Sequence, residues 1–403
     1  MKSGTRPFNP IIGDQVTLSA LLLRRIAFIL LFLILPIANI IGRRALVIIL
    51  PVTVILLLIA SVLDGQSRPL WQNIKRLMGS YGSICAVLLI IWCAVSLLWS
   101  PFPDDGSNRL LTSLMTIGIA FLAYLALPSR MRSSNLYLLP IGVAIAALVA
   151  IGTKYSFPNL ASKNSSEVLE RGMTILVLFF WPSVMWLRSR HRDIYSLLLT
   201  VIMLVSLYLV NFPIISLAFA VGALGYALMS ISAQKSTRFI AYTVAGLCAL
   251  APLLPFILQP LAHLLGAHDL QVSMQATKAL ILSDPSQLIT GQGLEAVRGR
   301  FTGAVSPYTP GTAIFQLWYE LGILGGLGTA VIVYVATMKI GKAPAPLAQG
   351  VIASLLSAFT FAMVGDSLIQ SWWITALCSL ALIFVAITRG QFRTTRPRIF
   401  IVR

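Results

Sequence analysis

The stretch RRIAFILLFLILPIANIIGRRALVIILPVTVILLLIASVL, residues 24–63, decides the fold class. It holds two apolar runs, and each is close to the roughly 20 residues that an α-helix needs to cross a bilayer. Similar runs recur to the end of the chain. Hydrophobic residues make up 58% of the sequence and charged residues 10%, with a mean hydropathy of +0.88, whereas soluble domains carry about 25% charged residues. The sequence therefore predicts an all-α, polytopic integral membrane protein.

The apolar runs predict about twelve transmembrane helices in one transmembrane domain over residues 1–403. The spans are expected near 24–42, 45–63, 82–100, 109–128, 136–152, 172–188, 193–210, 213–232, 238–258, 313–338, 347–365 and 368–388. One connection is much longer than the others, a large outer loop over residues 259–311 between the ninth and tenth spans.

Lysine and arginine are distributed unevenly between the two sides of the membrane. If both termini are cytoplasmic, 21 of the 30 basic residues lie on the cytoplasmic side, as the positive-inside rule predicts. Arg43 and Arg44 are the exception in this arrangement. The pI of about 10.3 is explained by short basic segments next to the spans, which attract anionic lipid headgroups. We therefore expect membrane lipids as partners and no nucleic acid.

A polar stripe marks the beginning of the tenth span, in SPYTPGTAIFQLWYELGILG, residues 306–325. Thr312, Gln316, Tyr319 and Glu320 lie on one face of the first two helical turns, so this face is expected to line the bundle interior or a cavity. Glu320 is interpreted either as a general base or as the anchor of an arginine. The structural alternative is a helix-end carboxylate, which the amino-terminal dipole stabilises.

The large outer loop contains GQGLEAVRGR, residues 291–300. Glycines spaced like Gly291 and Gly293 can expose backbone amides to an anion, and the planar guanidinium groups of Arg298 and Arg300 suit a phosphate. A flexible loop with solvated arginines is the alternative. The ending of a P-loop is absent, and no group of residues has metal-ligand spacing. A short helix is expected over residues 272–282, with Lys278 in it.

Glu170-Arg171-Gly172 stands at the predicted entrance of the sixth span, after a short helix that starts near Asn164. Arg171 has two interpretations, a snorkelling residue that reaches the headgroups or a ligand-binding cation. Gly172 would let a ligand or another backbone come close to it.

The outer segment LLWSPFPDDGSNRLLT, residues 97–112, is predicted to be an interfacial turn. Ser100-Pro101 ends a helix, and Asp104, Asp105 or Ser107 caps the next one. Paired aspartates can also bind a divalent cation.

Together these motifs resemble the O-antigen ligase and O-antigen polymerase superfamily of bacterial inner-membrane glycosyltransferases. The resemblance covers most of the chain and rests on the topology, the large loop and the order of the motifs LLWSPFPDDGSNRL, LERGMTILVLFFWP, PSQLITGQGLEAVR and FQLWYELGILG. The matched positions are Trp99-Ser100, Arg171-Gly172, Pro285 with Gly291-x-Gly293, Arg298, and Gln316, Glu320 and Gly322.

The resemblance implies transfer of a glycan from undecaprenyl diphosphate to an acceptor hydroxyl on the periplasmic face of the inner membrane, by an inverting mechanism that uses no metal or other cofactor. The acceptor would be lipid A–core in a ligase and another lipid-linked repeat unit in a polymerase. Catalytic roles are expected for Arg171, Arg298 and Glu320. Substrate contacts are expected for Lys278, Gly291, Gly293, Arg300, Tyr308, Thr309, Thr312, Gln316, Trp318 and Tyr319.

The chain departs from the ligase pattern just before the tenth span. A His-Pro-His-Asn-like stretch is typical there, and its positions are occupied by Thr309, Pro310, Gly311 and Thr312. This departure fits a divergent ligase, a polymerase with other acceptors or a member without activity, and His263 or His268 could replace the lost base. A transporter or flippase of lipid-linked glycans is the alternative from a different class, because twelve spans suit many transporters.

Overall fold

The computed structural model describes residues 10–63, 81–128, 131, 133–156, 163–257, 275, 278–279, 281–282, 287–296, 313–364 and 371–390. Every regular element within these ranges is a helix. Eleven of the described helices are long and apolar enough to cross a membrane, and a bent pair gives a twelfth if it counts as one span. The predicted fold class, an all-α polytopic membrane protein, is confirmed.

The helices follow the predicted spans closely. They are α1 Pro10–Ile29, continued by a π-helical turn Leu30–Ile34 and α2 Leu35–Ile41, then α3 Ala45–Leu63, α4 Tyr81–Ser96 with a 3₁₀ turn Leu97–Trp99, α5 Pro103–Ala126, α6 Ser133–Leu136, α7 Leu138–Ser156, α8 Lys163–Ser189, α9 Asp193–Val210, α10 Pro213–Ile231, α11 Ala233–Ala249, a 3₁₀ turn Ala251–Leu253, α12 Gln287–Thr290, α13 Ala313–Ile340, α14 Ala345–Val364 and α15 Ser371–Gly390.

The chain groups into two compact units. The first comprises residues 1–67, 119–206 and 378–403, and the second comprises residues 68–118 and 207–377. The prediction of a single transmembrane domain stays a prediction, and the large loop at 259–311 is described only in part.

In the first unit, the first span carries a π-helical turn over Leu30–Ile34. Pro36 has no N–H and cannot donate to the carbonyl of Phe32, so the regular α-helical bonding is interrupted at this point. Gly142 of α7 packs directly against the turn, since a Cβ atom there would lie 2.9 Å from the Cα of Leu33. A proline and a glycine therefore shape the contact between the first and fifth spans.

The sixth span differs from the sequence-based expectation. A short helix near Asn164 and a separate span from residue 172 were predicted, but α8 is one continuous helix, Lys163–Ser189, so this prediction was wrong. No proline lies between Asn164 and Gly172, and Gly172 does not end the helix. A Cβ atom at Gly172 would lie 2.7 Å from the carbonyl oxygen of Asn39, so this glycine serves the close packing of α8 on α2.

In the second unit, α10 packs on α14 and α11 packs on α13. Ser357 donates a hydrogen bond to the Ala218 carbonyl across the first pair at 2.9 Å. Across the second pair, the indole N–H of Trp318 donates to the Cys248 carbonyl at 2.8 Å. The second contact holds the beginning of α13, the helix that carries the predicted polar stripe, against α11.

Candidate functional site

The tenth span, α13, is broken inside the membrane-spanning segment. Gly322 has φ 63° and ψ −155°, a backbone conformation that glycine adopts far more readily than other residues. At the break, the carbonyls of Tyr319 and Glu320 accept hydrogen bonds from the backbone amides of Gln292 and Gly293, at 2.8 and 3.0 Å. The next carbonyl, that of Leu321, accepts a hydrogen bond from the indole N–H of Trp92 at 2.9 Å. Three consecutive carbonyls of α13 therefore bond to groups outside the helix.

The Gly-x-Gly motif of the large loop fits into this break. Gly291 and Gly293 have φ of 76° and 91°, and neither position has room for a side chain. A Cβ atom on Gly293 would lie 2.5 Å from the Cα of Ser100, and one on Gly322 would lie 2.7 Å from the Gly291 nitrogen. The amides of Gln292 and Gly293 are bonded to α13, so in this structure the motif provides close backbone packing.

The turn after α4 closes the other side of the loop. Ser100 donates from Oγ to the Leu294 carbonyl at 2.6 Å, and the same oxygen accepts the Phe102 N–H at 3.1 Å. A Cβ atom on Gly106 would lie 3.2 Å from the same Leu294 carbonyl oxygen. Asp104 and Asp105 lie in the first turn of α5 rather than at its N-cap, while Ser100 bonds the amide that precedes the helix.

Glu320 lies at the centre of this junction and is 3% exposed. Its Oε1 accepts a hydrogen bond from Gln316 Nε2 at 2.9 Å and lies 3.5 Å from Nη1 of Arg109. The same Nη1 donates to Glu295 Oε1 at 2.9 Å. One guanidinium group therefore lies between two carboxylates, and all three groups are largely withdrawn from solvent, with side chains 18%, 12% and 4% exposed for Arg109, Glu295 and Glu320.

This geometry favours the interpretation of Glu320 as the anchor of an arginine. The dipole of a helix acts within its first turn, whereas Glu320 is the eighth residue of α13. The helix end alone therefore does not account for the carboxylate. Removing one partner of a buried ion pair costs about 3–5 kcal/mol, so Arg109 and Glu320 depend on each other for their burial.

Gln316 leaves one polar atom of the site unsatisfied. The side chain is 1% exposed, and its Oε1 has no hydrogen-bond partner in the described part of the chain. The amide orientation is fixed, because the opposite orientation would set Oε1 against the Glu320 carboxylate. A buried acceptor without a partner costs about 1–3 kcal/mol, and a hydroxyl or amide donor of a ligand would remove this cost.

Other predicted contact residues lie in different surroundings. The Tyr319 ring is half-buried and stacks on Phe315, with 6.2 Å between ring centroids. Trp318 is buried in the contact between α11 and α13, where its indole bonds to Cys248, and this is a packing position. Lys278 is half-buried with its ammonium group 5.3 Å from the Phe256 ring centroid. Substrate binding by these residues stays a prediction.

Several predicted site residues lie outside the described part of the chain. They are Arg298, Arg300, Tyr308, Thr309 and Thr312, together with the possible substitute bases His263 and His268.

Arg171 belongs to the first unit and forms an ion pair with Glu167 one turn earlier on α8. Its side chain is 15% exposed. Of the two partners suggested for Gly172, a ligand or another backbone, the structure has the backbone of Asn39 and Ile40. The Nδ2 atom of Asn39 is buried and has no hydrogen-bond partner in the described ranges.

Sequence reasoning missed Arg109, Glu295 and Trp92 as site residues. Arg109 lies within a helix that was predicted to span the membrane, and a charge in such a segment requires a partner. This was the available signal for Arg109. Nothing in the sequence marks Glu295, which has φ 67° and reaches Arg109 only because the Gly-x-Gly turn enters the break.

An apolar groove of about 450 Å³ runs along the second unit between α4 and the second half of α13. Its walls include Leu88, Trp92, Leu324, Leu327 and Val331. Trp92 is shared with the site, because its ring lines the groove while its N–H bonds to the carbonyl at the helix break. The groove and the buried polar cluster are therefore adjacent, which suits a ligand with an apolar chain and a polar head.

Comparison with known proteins adds no further assignment, since no family model, no curated protein and no solved structure matches the chain.

Proposed function

We propose that this protein is a membrane glycosyltransferase of the O-antigen ligase type, which moves a glycan from undecaprenyl diphosphate to an acceptor hydroxyl. In this proposal it lies in the bacterial inner membrane, with both termini in the cytoplasm and the active site on the periplasmic face. The acceptor is lipid A–core. A multi-pass membrane fold supports the proposal only in general terms, and the specific support comes from the broken tenth span.

One observation carries the proposal, the meeting of three distant motifs around one buried carboxylate. Ser100, the Gly291-x-Gly293 turn and Glu320 belong to three of the sequence motifs on which the family resemblance rests. They bond to each other through backbone and side-chain groups, and Arg109 and Gln316 bond to Glu320. A chain that needed only to pack its helices would have no use for buried charges here, nor for an amide oxygen that lacks a partner in the described part of the chain.

The proposed reaction places demands on these groups. The acceptor oxygen attacks the anomeric carbon of the donor sugar, a new C–O bond forms, and the bond from that carbon to the diphosphate breaks. The diphosphate leaves with its negative charge, and the acceptor proton passes to a base or to water. Preorganised cations stabilise the charge that develops on such a leaving group. In our proposal Arg298 and Arg300 serve the diphosphate, and Arg109 is a further cation, held in place by Glu295 and Glu320. The catalytic role that the family resemblance implies for Arg171 stays a prediction.

Gln316 and the groove suit the two ends of this substrate. Oε1 of Gln316, which no group in the described ranges contacts by a hydrogen bond, would accept a hydrogen bond from a sugar or acceptor hydroxyl. The apolar groove beside Trp92 would hold part of the polyprenyl chain. Lys278, Tyr308, Thr309, Thr312, Trp318 and Tyr319 are retained as proposed substrate contacts.

The proposal is tested by incubating purified full-length protein with an undecaprenyl-diphosphate glycan and an acceptor, followed by mass analysis of the products. With lipid A–core as acceptor, a ligase forms the glycan adduct. With only the lipid-linked glycan present, a polymerase forms a product of two repeat units. If the folded protein formed neither of these products, the proposal of a transferase would be contradicted.

A transporter of lipid-linked glycans is the second candidate, and the broken helices favour it. Interrupted spans with buried charged groups at the break are typical of transporter sites, and here α13 is interrupted at Gly322, while the pair Ala233–Ala249 and Ala251–Ile257 is bent by 66°. Proteoliposomes that contain the lipid-linked glycan separate the two candidates. A transporter makes the glycan accessible on the opposite face without a new covalent product, whereas a transferase forms the product.

A further inference from the structure

A second apolar groove lies in the first unit, where α7, α8 and α9 meet. Its volume is about 470 Å³. Tyr137, Ile141 and Ala144 form one wall and Tyr195, Leu198 and Ile202 the other. The wall residues recur at helical spacing over seven residues on both sides, so each wall extends about 10 Å along its helix at 1.5 Å per residue. Ile141 and Leu198 are 49% and 56% exposed, so these walls are open.

Arg192 stands at one end of this groove. It belongs to the turn between α8 and α9, where its backbone N–H bonds to the Leu187 carbonyl at 3.0 Å. Its guanidinium carbon lies 5.5 Å from the Tyr195 ring centroid. The turn joins two helices that are long and apolar enough to cross a membrane, so we expect Arg192 at the level of the headgroups and the groove beside the hydrocarbon.

Two neighbouring arginines, one in the last turn of α8 and one in the turn that follows it, already have partners. Arg188 pairs with Asp193 at 4.0 Å, and Arg190 donates to the Gly390 carbonyl at 2.9 Å and stacks on Trp186. Within the described ranges no carboxylate pairs with Arg192. In the described part of the chain, the groove therefore ends at a cation that no carboxylate neutralises.

We propose that this groove is a binding site for one anionic phospholipid, with an acyl chain along the apolar walls and the headgroup phosphate at Arg192. The planar guanidinium group suits a phosphate through charge-assisted hydrogen bonds. Basic pockets between transmembrane helices bind anionic headgroups, and tyrosines such as Tyr137 and Tyr195 are typical of the interfacial level. None of the residues that line this groove belongs to the proposed transferase site.

The test uses purified full-length protein in a non-ionic detergent. One sample is titrated with phosphatidylglycerol and another with phosphatidylcholine, and the two lipids have the same acyl chains. Native mass spectrometry measures the affinity for the first bound lipid. We expect the wild type to prefer phosphatidylglycerol about fivefold, which corresponds to about 1 kcal/mol for one basic residue near an anionic headgroup.

Three variants locate the site. Arg192→Gln should remove most of the preference for phosphatidylglycerol. Lys235→Gln, which removes an exposed basic residue at the end of a different span, should keep the preference and serves as the matched control. Leu198→Trp should weaken both lipids, because the new ring occupies the groove. Leu198 is 56% exposed, so this variant is expected to fold.

Specific outcomes would overturn the proposal. Equal affinity of the wild type for the two lipids would show that the headgroup charge is not recognised. An unchanged preference in Arg192→Gln would place the anionic lipid elsewhere, and unchanged binding in Leu198→Trp would exclude the groove. If inorganic phosphate displaced phosphatidylglycerol at millimolar concentration, the site would bind the anion alone and no lipid.

Discussion

The interdependence of Arg109 and Glu320 predicts a large coupling energy in a double-mutant cycle. Arg109→Ala leaves the carboxylate of Glu320, whose side chain is 4% exposed, buried with Gln316 as its hydrogen-bond donor. Loss of one partner of such a pair costs about 3–5 kcal/mol in the free energy of unfolding. In a Glu320→Gln background residue 320 carries no charge that Arg109 must neutralise. We therefore expect Arg109→Ala to lower the free energy of unfolding by only about 1–2 kcal/mol in this background, within the usual range for point mutations.

The expected coupling energy is therefore about 2 kcal/mol, within the range measured for residues in contact. Glu295 loses its partner in both backgrounds, so its contribution largely cancels in the cycle. The assay is the unfolding of wild type, both single variants and the double variant in mixed detergent micelles with increasing SDS. Each transition is fitted for the free energy of unfolding.

A matched cycle on Arg188 and Asp193 controls for the assay. This pair is 4.0 Å apart, and its side chains are 50% and 71% exposed, so its coupling energy should be at most about 1 kcal/mol. If the Arg109–Glu320 cycle were additive within about 0.5 kcal/mol, the two side chains would not support each other, and the anchor interpretation of Glu320 would have to be given up.

Three further predictions concern the helix break, the topology and the arginine of the sixth span. Gly322→Ala should lower the melting temperature, because φ 63° and ψ −155° cost a residue other than glycine about 1–3 kcal/mol and the new Cβ would clash with the Ile289 carbonyl oxygen. Gly118→Ala, whose new Cβ would meet nothing within 4 Å, should leave the melting temperature unchanged, and equal melting temperatures for the two variants would contradict the break. A cysteine at Ser306 should react with an impermeant thiol reagent in intact spheroplasts, whereas a cysteine at Ser189 should react only after lysis. Labelling of position 189 in intact spheroplasts would contradict the proposed orientation. Arg171→Ala should reduce glycan transfer roughly 30-fold or more, the effect of removing one partner of a desolvated charge pair at about 2–5 kcal/mol, with partial recovery in Arg171→Lys; near-normal transfer by well-expressed Arg171→Ala would remove this residue from the diphosphate site.

The spans could be predicted from the sequence because each depends on local composition. The pair of runs at 24–42 and 45–63, for example, appears as helices Leu18–Ile41 and Ala45–Leu63. The interruptions within spans were harder to predict. Pro36 gave a local signal for the π-helical turn before it, but Gly322 is one of several glycines in LGILGGLG, and only its contact with the loop selects it as the break.

The candidate site could be predicted in part for the same physical reason. The polar stripe identified Gln316 and Glu320, because helical spacing alone places them on one face. Arg109 and Glu295 come from segments 186 residues apart, and no periodicity connects them. Gly291 and Gly293 were recognised as unusual, but their pattern alone did not distinguish an anion-binding turn from the close backbone contact that the structure has.

The most direct test of the proposed function is single-turnover glycan transfer by the wild type, Glu320→Gln and Glu320→Asp, with donor affinity measured on the same preparations. If Glu320 aims Arg109 in the site, Glu320→Gln loses most of the transfer and binds the donor more weakly, and Glu320→Asp, which keeps the charge on a shorter side chain, recovers part of both. A large loss of transfer with unchanged donor affinity would indicate a general base instead. Normal transfer by folded Glu320→Gln would contradict the account, because the buried carboxylate would then have no part in the reaction.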